Sequence, residues 1–291
     1  MTTHAHPNSS SSAGAGTDIC IVGDGAVGKT AALGLAQAGF KVTLLAPPPK
    51  AAPPDTASWD VRVYALNHTA QRLLSSVRVW DAMEGERIAA VDNMTVHGDG
   101  VPDKARPGLL SFDAYAARTD ALAWIVEDRN LDQALDAALR FAPNIRVVQG
   151  RATALAVLGE TATLTLESGQ SLSASLVIGA DGANSWVRGQ CDIGLDYRAY
   201  GQNAIVTNFS CELPHRGVAY QWFSPTEGVI ALLPLPAIAS LWSGRRRRRW
   251  RINCSSSRSR PWPSAWPSGP RRCWARSRRC SRRWPRPSRC G

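Results

Sequence analysis

Gly23-Asp24-Gly25-Ala26-Val27-Gly28-Lys29-Thr30, entered by the apolar run Asp18-Ile19-Cys20-Ile21-Val22, satisfies two nucleotide-binding patterns together. As G-x-G-x-x-G it is a dinucleotide fingerprint: Gly23 makes the tight turn, Gly25 lets a pyrophosphate approach the backbone, and Gly28 lets helix and strand pack closely. As G-x-x-x-x-G-K-T it is a P-loop, with Lys29 on the outer phosphates and Thr30 on magnesium. Both patterns hold anionic oxygens at the positive end of the following helix. The downstream sequence separates them. No Asn-Lys-x-Asp base-reading motif occurs, and Asp181-Gly182-Ala183-Asn184 has no Gly at the last position of a D-x-x-G. The pattern therefore favours a dinucleotide cradle, with Gly23, Gly25, Ala26, Val27 and Gly28 as its binding residues.

The 291 residues suffice for one large or two smaller cores. The net charge of +11 is misleading, because Arg245–Gly291 holds seventeen of the 34 basic residues and no acid, leaving −6 on the rest. A basic pI here describes a tail and not a domain. Residues 1–17 are rich in Ser, Ala, Gly and Thr and carry no Lys or Arg, so they read as a disordered lead and not as a signal peptide. His4 and His6 read as solvated tail residues, and the seven cysteines lack C-x-x-C spacing, so no metal site is expected. No apolar run is long enough to span a bilayer.

Ala26–Ala38 is rich in Ala and Leu, Gly39 is placed as its C-cap, and Lys41–Leu45 reads as a second strand, completing a β-α-β unit. Prolines at 47, 48, 49, 53 and 54 then mark a surface loop. Asn67–Val79 has helical periodicity; Ile88–His97 and Leu109–Ala114 read as strands. Leu122, Ile125, Val126, Leu131, Leu135 and Leu139 form an apolar stripe that predicts one long helix over Asp120–Phe141. Ala152–Leu158 and Thr161–Glu167 read as a hairpin, Leu176–Ala180 as a buried strand, and Asn203–Glu212, Ala219–Phe223 and Val229–Leu233 as further strands. The expected fold class is α/β, a Rossmann-like domain with an added mixed β-sheet layer, incomplete at the C-terminus. The expected domains are a disordered lead over 1–17, a folded region over 18–242 with β-rich parts near 85–115 and 196–242, and an Arg/Trp/Ser/Pro-rich disordered tail over 243–291.

Three further segments follow the fingerprint in order: Asp60-Val-Arg62-Val-Tyr-Ala-Leu66, Ile125-Val-Glu-Asp-Arg129-Asn-Leu-Asp-Gln-Ala-Leu135, and Gly179-Ala-Asp181-Gly182-Ala-Asn-Ser185-Trp-Val-Arg188. With them the chain resembles the FAD-dependent aromatic hydroxylases of ubiquinone biosynthesis, the 2-octaprenyl-phenol hydroxylase group within the p-hydroxybenzoate-hydroxylase-like monooxygenases. The resemblance covers Asp18 to Trp242 and includes Tyr220-Gln-Trp-Phe223 and Leu232-Leu-Pro-Leu-Pro236, which look like a strand and turn on the substrate side. It implies FAD as cofactor and NAD(P)H as co-substrate, with the reduced flavin activating O₂ to hydroxylate a prenylated phenol. It also implies a cytoplasmic protein, with association at the inner membrane or with a ubiquinone-biosynthesis complex.

The same resemblance makes Arg62 and Arg129 flavin contacts, in place of surface ion pairs such as Arg129 with Asp132 or Asp136. It places Asp181 and Gly182 at the flavin and the nicotinamide cofactor, whereas the residues alone also allow an Asp-Gly turn that caps a helix near Ser185. One departure is plain: the acid expected to bond the adenosine ribose at the end of the second strand is Ala46, followed by Pro47. No catalytic residue is assigned. His97, His215 and Tyr220 read as ordinary sheet residues, and Trp222 and Phe223 as core or pocket lining.

Arg245–Gly291 is almost entirely Arg, Ser, Pro, Trp and Cys without apolar periodicity, which is what an off-frame reading of GC-rich DNA yields. A frameshift near Leu241–Gly244 is the expectation, with the second FAD motif of the G-D-A-A-H type lost and flavin retention and turnover weakened or abolished. The alternatives are a P-loop nucleotide-binding protein and an Arg-rich nucleic-acid binder, with Arg on phosphates and Trp stacked on bases.

Overall fold

The computed structural model describes residues 17–48, 59–98, 109–210, 214–224, 228–236 and 239–247. In chain order the elements are β1 (Thr17–Val22), α1 (Ala26–Gln37), β2 (Val42–Ala46), β3 (Val63–Leu66), α2 (His68–Ser76), β4 (Ile88–Val91), β5 (Asn93–His97), β6 (Leu109–Asp113), β7 (Ala123–Glu127), α3 (Asp128–Arg140), β8 (Ile145–Gln149), β9 (Ala152–Leu158), β10 (Thr161–Leu166), β11 (Ser171–Gly179), α4 (Trp186–Gln190), β12 (Gln202–Ser210), β13 (Val218–Ser224), β14 (Gly228–Leu235) and β15 (Ala239–Arg247). They divide into two compact units. The first holds β1, α1, β2, most of α2 and α3, β8 to β11 and α4; the second holds β3 to β7 and β12 to β15.

In the first unit a six-stranded sheet runs β8-β2-β1-β11-β10-β9. β1 pairs parallel to β2 on one side and to β11 on the other, and β2 pairs parallel to β8. All five residues of β2 and four of the six in β1 are buried, as parallel strands covered on both faces require. The apolar runs that announced them are continuous for that reason. β9, β10 and β11 form an antiparallel meander in which Ala162, Leu164 and Leu166 alternate inward. They close a core with Cys20, Val22, Leu45, Val148, Leu172, Ala174 and Val187. Burial there pushes the Cys20 thiol up to about 11, so it is protonated and inert at neutral pH.

In the second unit a six-stranded sheet runs β12-β15-β14-β13-β5-β6, and a three-stranded sheet runs β3-β7-β4. Ala219, Leu233, Leu235 and Met94 from the larger sheet meet Ala89, Val91, Ile125 and Val63 from the smaller one. That is the mixed β layer expected from the sequence.

Three expectations need correction. The single helix over Asp120–Phe141 is a strand, β7, followed by α3. Leu122, Ile125 and Val126 fit a helical stripe, but Trp124, Ile125 and Val126 are strand formers whose backbone pairs with both β3 and β4. The partners outweigh the period. Ser243–Arg247, expected in the unstructured tail, instead belong to β15, paired with β12 and β14. Residues 248–291, the lead over residues 1–16 and most of the proline loop lie outside the described residues. The Ile88–His97 strand is divided into β4 and β5 at Asp92, whose N–H donates to the Gly217 carbonyl at 2.8 Å.

Leu164 is fully buried at the centre of the first core. Leu164→Ala is expected to cost about 3 kcal/mol through lost transfer energy and the cavity left behind. Equilibrium denaturant unfolding checks it; a change within about 0.5 kcal/mol would place Leu164 outside a packed core.

Candidate functional site

The loops after β1 and β11 leave the first sheet side by side, because the two strands are parallel neighbours with Val22 opposite Gly179. β2, reached through α1, lies on the other side of β1. The chain therefore reverses its direction of strand addition at this point, where open α/β sheets form ligand crevices.

Three glycines build the first loop, two of them by steric necessity. Gly23 has φ 111°, and a Cβ there would strike the Ala180 carbonyl, where β11 ends. Gly28 lies in the first turn of α1, and a Cβ on it would overlap the Gly23 carbonyl oxygen. Only hydrogen fits at these two positions. Gly25 caps α1 in an extended conformation at φ −70° and has nothing within 4 Å of where a Cβ would stand. No side chain caps the helix start, and its first turn carries no acid. Ala26 and Val27 fill that turn, with Val27 74% exposed. The result is an uncapped helix terminus with open space beside Gly25 and a backbone packed tightly underneath, which suits an anion. A pyrophosphate fits this cradle on those grounds.

Lys29 does not face the loop's anion position. Its side chain is 6% exposed and lies between Asp132 and Asp136 of α3, 2.6 Å from each. Burial alone would lower its pKa; the hydrogen bonds and charges of the two aspartates outweigh that and raise it above 10.5. The Lys of G-K-T is thus an α1–α3 staple, paired with the two aspartates that the sequence offered to Arg129. Arg129 itself sits in the first turn of α3, half-buried.

Asp181 follows β11 and is fully engaged locally. Its carboxylate accepts from Ser185 Oγ at 2.5 Å, Trp186 N–H at 2.6 Å and Val187 N–H at 3.1 Å, while Ser185 accepts from Arg188 N–H at 3.0 Å. Burial would raise its pKa, but these hydrogen bonds prevail and hold it below 3.8. The capping role read from the sequence is present. Gly182 follows at φ 88°, which opens the turn.

In the second unit Arg62 precedes β3, with its side chain 69% exposed. Its guanidinium lies 3.5 Å from the Asp128 carboxylate and 5.8 Å from the Tyr64 ring centroid. Tyr64 donates its hydroxyl to the same Asp128 at 2.5 Å. Beside this cluster is a group that the sequence reading missed. Glu127, the last residue of β7, is fully buried and accepts from Arg87 Nη2 at 2.9 Å, from Arg87 Nε and from the Asp60 N–H. Arg87 in turn lies over the Trp59 ring at 4.4 Å. The available signal was an acid ending a run of β-formers, hidden by reading that run as helix.

On the larger sheet, His97, Trp222 and Tyr220 stack in line, His97 to Trp222 at 5.4 Å and Tyr220 to Trp222 at 5.5 Å. Trp222 is buried and Phe223 exposed. Among the described residues no group of three or more His, Cys, Asp or Glu could hold a metal, and no helix is long and apolar enough to cross a membrane.

A glycine turn at a sheet switch point, opening an uncapped helix, defines a dinucleotide-binding α/β protein. Residues 16–268 match the sequence profile of the FAD binding domain family, and the chain belongs to that family. It is similar to ubiquinone hydroxylase UbiL of Rhodospirillum rubrum, with 36% identity over 78% of this chain and 52% of that protein. It is also similar to 3-demethoxyubiquinol 3-hydroxylase of Escherichia coli, at 35% over 75% and 54%, and to mitochondrial ubiquinone biosynthesis monooxygenase COQ6 of Drosophila melanogaster, at 32% over 81% and 50%. The chain spans about half the length of these curated relatives. Among solved structures, PqsL of Pseudomonas aeruginosa, a probable FAD-dependent monooxygenase, shares the fold at TM-score 0.64 and 18% identity over 80% of this chain and 61% of that one. The p-nitrophenol 4-monooxygenase PnpA of Pseudomonas putida does so at TM-score 0.63 and 18% identity, over 81% and 59%.

Because the folded pKa of Lys29 is raised, its contribution to stability is complete below 10.5 and is lost as pH rises through the folded value. Asp181 is the mirror case: its contribution is present above 3.8 and is lost as pH falls through its depressed value. Lys29→Met is expected to lose about 2 kcal/mol at neutral pH, between the cost of an exposed and of a buried pair, and to flatten the alkaline limb of a stability–pH profile. An unchanged alkaline limb would show that the staple does not form.

Proposed function

We propose that this chain serves an FAD-dependent monooxygenase that hydroxylates a prenylated phenol in ubiquinone biosynthesis, with NAD(P)H and O₂ as co-substrates. The observation that carries the reading is the Gly23–Gly28 cradle packed on Ala180 at the sheet switch point. The names of the similar curated hydroxylases supply the substrate class.

In this reading the N–H groups of Gly25, Ala26, Val27 and Gly28 bind the pyrophosphate. Arg62 and Arg129 add charge-assisted donors to pyrophosphate or ribityl oxygens. Asp181 shapes the turn after β11, and Gly182 keeps that turn open beside the cofactor. Ala46 gives the adenosine ribose no carboxylate, so affinity is lower than with an acid at that position. Bound and reduced, FAD supplies the activation of O₂ that ring hydroxylation needs. The half-buried rings of His97 and Tyr220, stacked on the buried Trp222, offer an aromatic surface for the phenol, and the protein is cytoplasmic, meeting its prenylated substrate at the inner membrane face. A P-loop role is disfavoured because Lys29 is held by α3.

Gly25 separates folding from binding. Gly25→Ala meets open space, so thermal stability is expected to be kept while FAD affinity falls at least about tenfold, since a methyl then stands where the pyrophosphate must approach. Titration of the full chain with FAD, followed by flavin fluorescence quenching, is expected to show saturable but weak binding that gel filtration removes. Binding of Mg-GTP or Mg-ATP that depends on Lys29, with no saturable FAD signal, would contradict the proposal.

A further inference from the structure

The first unit carries a cleft of about 820 Å³ lined by residues from the C-terminal ends of α1, α2 and α3 and the turns that follow them. Leu33, Ala36 and Val77 are buried at its floor, and Ala138 and Ala142 line it with side chains too small to fill it. Packed interiors leave few voids larger than a water, and a volume of this size is that of a small-ligand site. Phe141 lines the cleft too, yet stands 86% exposed instead of closing it. Leu73, half-exposed, lies one turn before Ser76 and Val77.

The rim is cationic. Arg78 lines the cleft from the left-handed region at φ 59°, a conformation that Gly or Asn adopts at lower cost. Arg72 lies one turn before Ser76, and Arg140 immediately before Phe141 at the end of α3. All three are exposed, and no acid among the described residues pairs with them. Asp81 is exposed beside Ala82, and Asp136 is held by Lys29, so positive charge prevails. An apolar cleft with unpaired arginines at its edge matches an amphiphile with an apolar chain and an anionic head. A second copy fits less well, because a twofold contact would gather the arginines of both copies at one rim.

We propose that this cleft binds an anionic phospholipid of a bilayer, with an acyl chain along the alanines, Phe141 inserted beside it and the headgroup phosphate on Arg78. The inference rests on the reading that brings the chain to a membrane face, and it names the surface that meets the bilayer. It uses residues of the first unit alone. Buried apolar surface supplies the larger part of such binding, and basic side chains near the headgroups add to it.

The test is hydrogen exchange of the full chain, resolved by peptide, with vesicles of phosphatidylglycerol or of phosphatidylcholine at ~0.15 M salt. Sedimentation alone does not decide, because Arg245–Gly291 has seventeen arginines that themselves attract anionic vesicles. Residues 76–82 and 137–144 are expected to exchange at least about threefold more slowly with phosphatidylglycerol and at an unchanged rate with phosphatidylcholine. Phe141→Ser, which trims an exposed side chain, is expected to abolish that protection. Arg78→Gln is expected to raise the vesicle concentration it needs about fivefold. Melting temperature and FAD affinity stay unchanged in both variants. Vesicle binding without protection of these segments, or protection that survives Phe141→Ser, would assign the attraction to the tail and overturn the proposal. Protection that grows with protein concentration and needs no vesicle would overturn it in favour of a second copy. Neither readout involves flavin, so failure here leaves the FAD titration untouched, and failure of that titration leaves the lipid site standing.

Discussion

The first unit depends on a contact that tolerates no side chain: the Gly23 carbonyl against Gly28 on one side, and Gly23 against Ala180 on the other. It requires β1 and β11 to be parallel neighbours with their ends level, which the Val22–Gly179 register and the Ala180 N–H to Val22 carbonyl bond at 2.8 Å provide. It also presses the first turn of α1 onto the loop. The space beside Gly25, at the uncapped start of that helix, stays open. In the proposed reading the anion site follows from this packing, without a dedicated cationic side chain.

Lys29 shows how a motif is resolved by its surroundings. In sequence it completes G-x-x-x-x-G-K-T; in the fold it is one residue past Gly28 on the buried face of α1, facing α3. Asp132 and Asp136 are four residues apart and so share a face of α3, which lets one ammonium meet both. The cation that a P-loop would aim at phosphate is spent on joining two helices. This geometry accords with the FAD binding domain family and leaves the nucleoside-triphosphate reading without a reactive lysine.

The β-α-β unit was legible because buried parallel strands are continuous apolar runs and because Gly23 and Gly28 are obligatory. The hairpin β9–β10 was legible from strict alternation. β7 was not, since Leu122, Ile125 and Val126 satisfy a helical period by coincidence and only the partners β3 and β4 decide the matter. That misreading hid Glu127, whose role needs Arg87 and Asp60 brought together from distant positions. Spacing along a chain cannot announce such a trio. Asp181 was legible both as a cap and as a motif residue, and the capping half is what its hydrogen bonds display.

The most direct measurement is an amide chemical-shift titration of the full chain with FAD. The account predicts that the largest perturbations fall on the N–H groups of Gly25, Ala26, Val27 and Gly28, with smaller ones at Gly182, and that the Lys29 side chain keeps its pairing with α3. Perturbations that avoid this turn, or that appear with Mg-GTP and centre on Lys29 and Thr30, would contradict it.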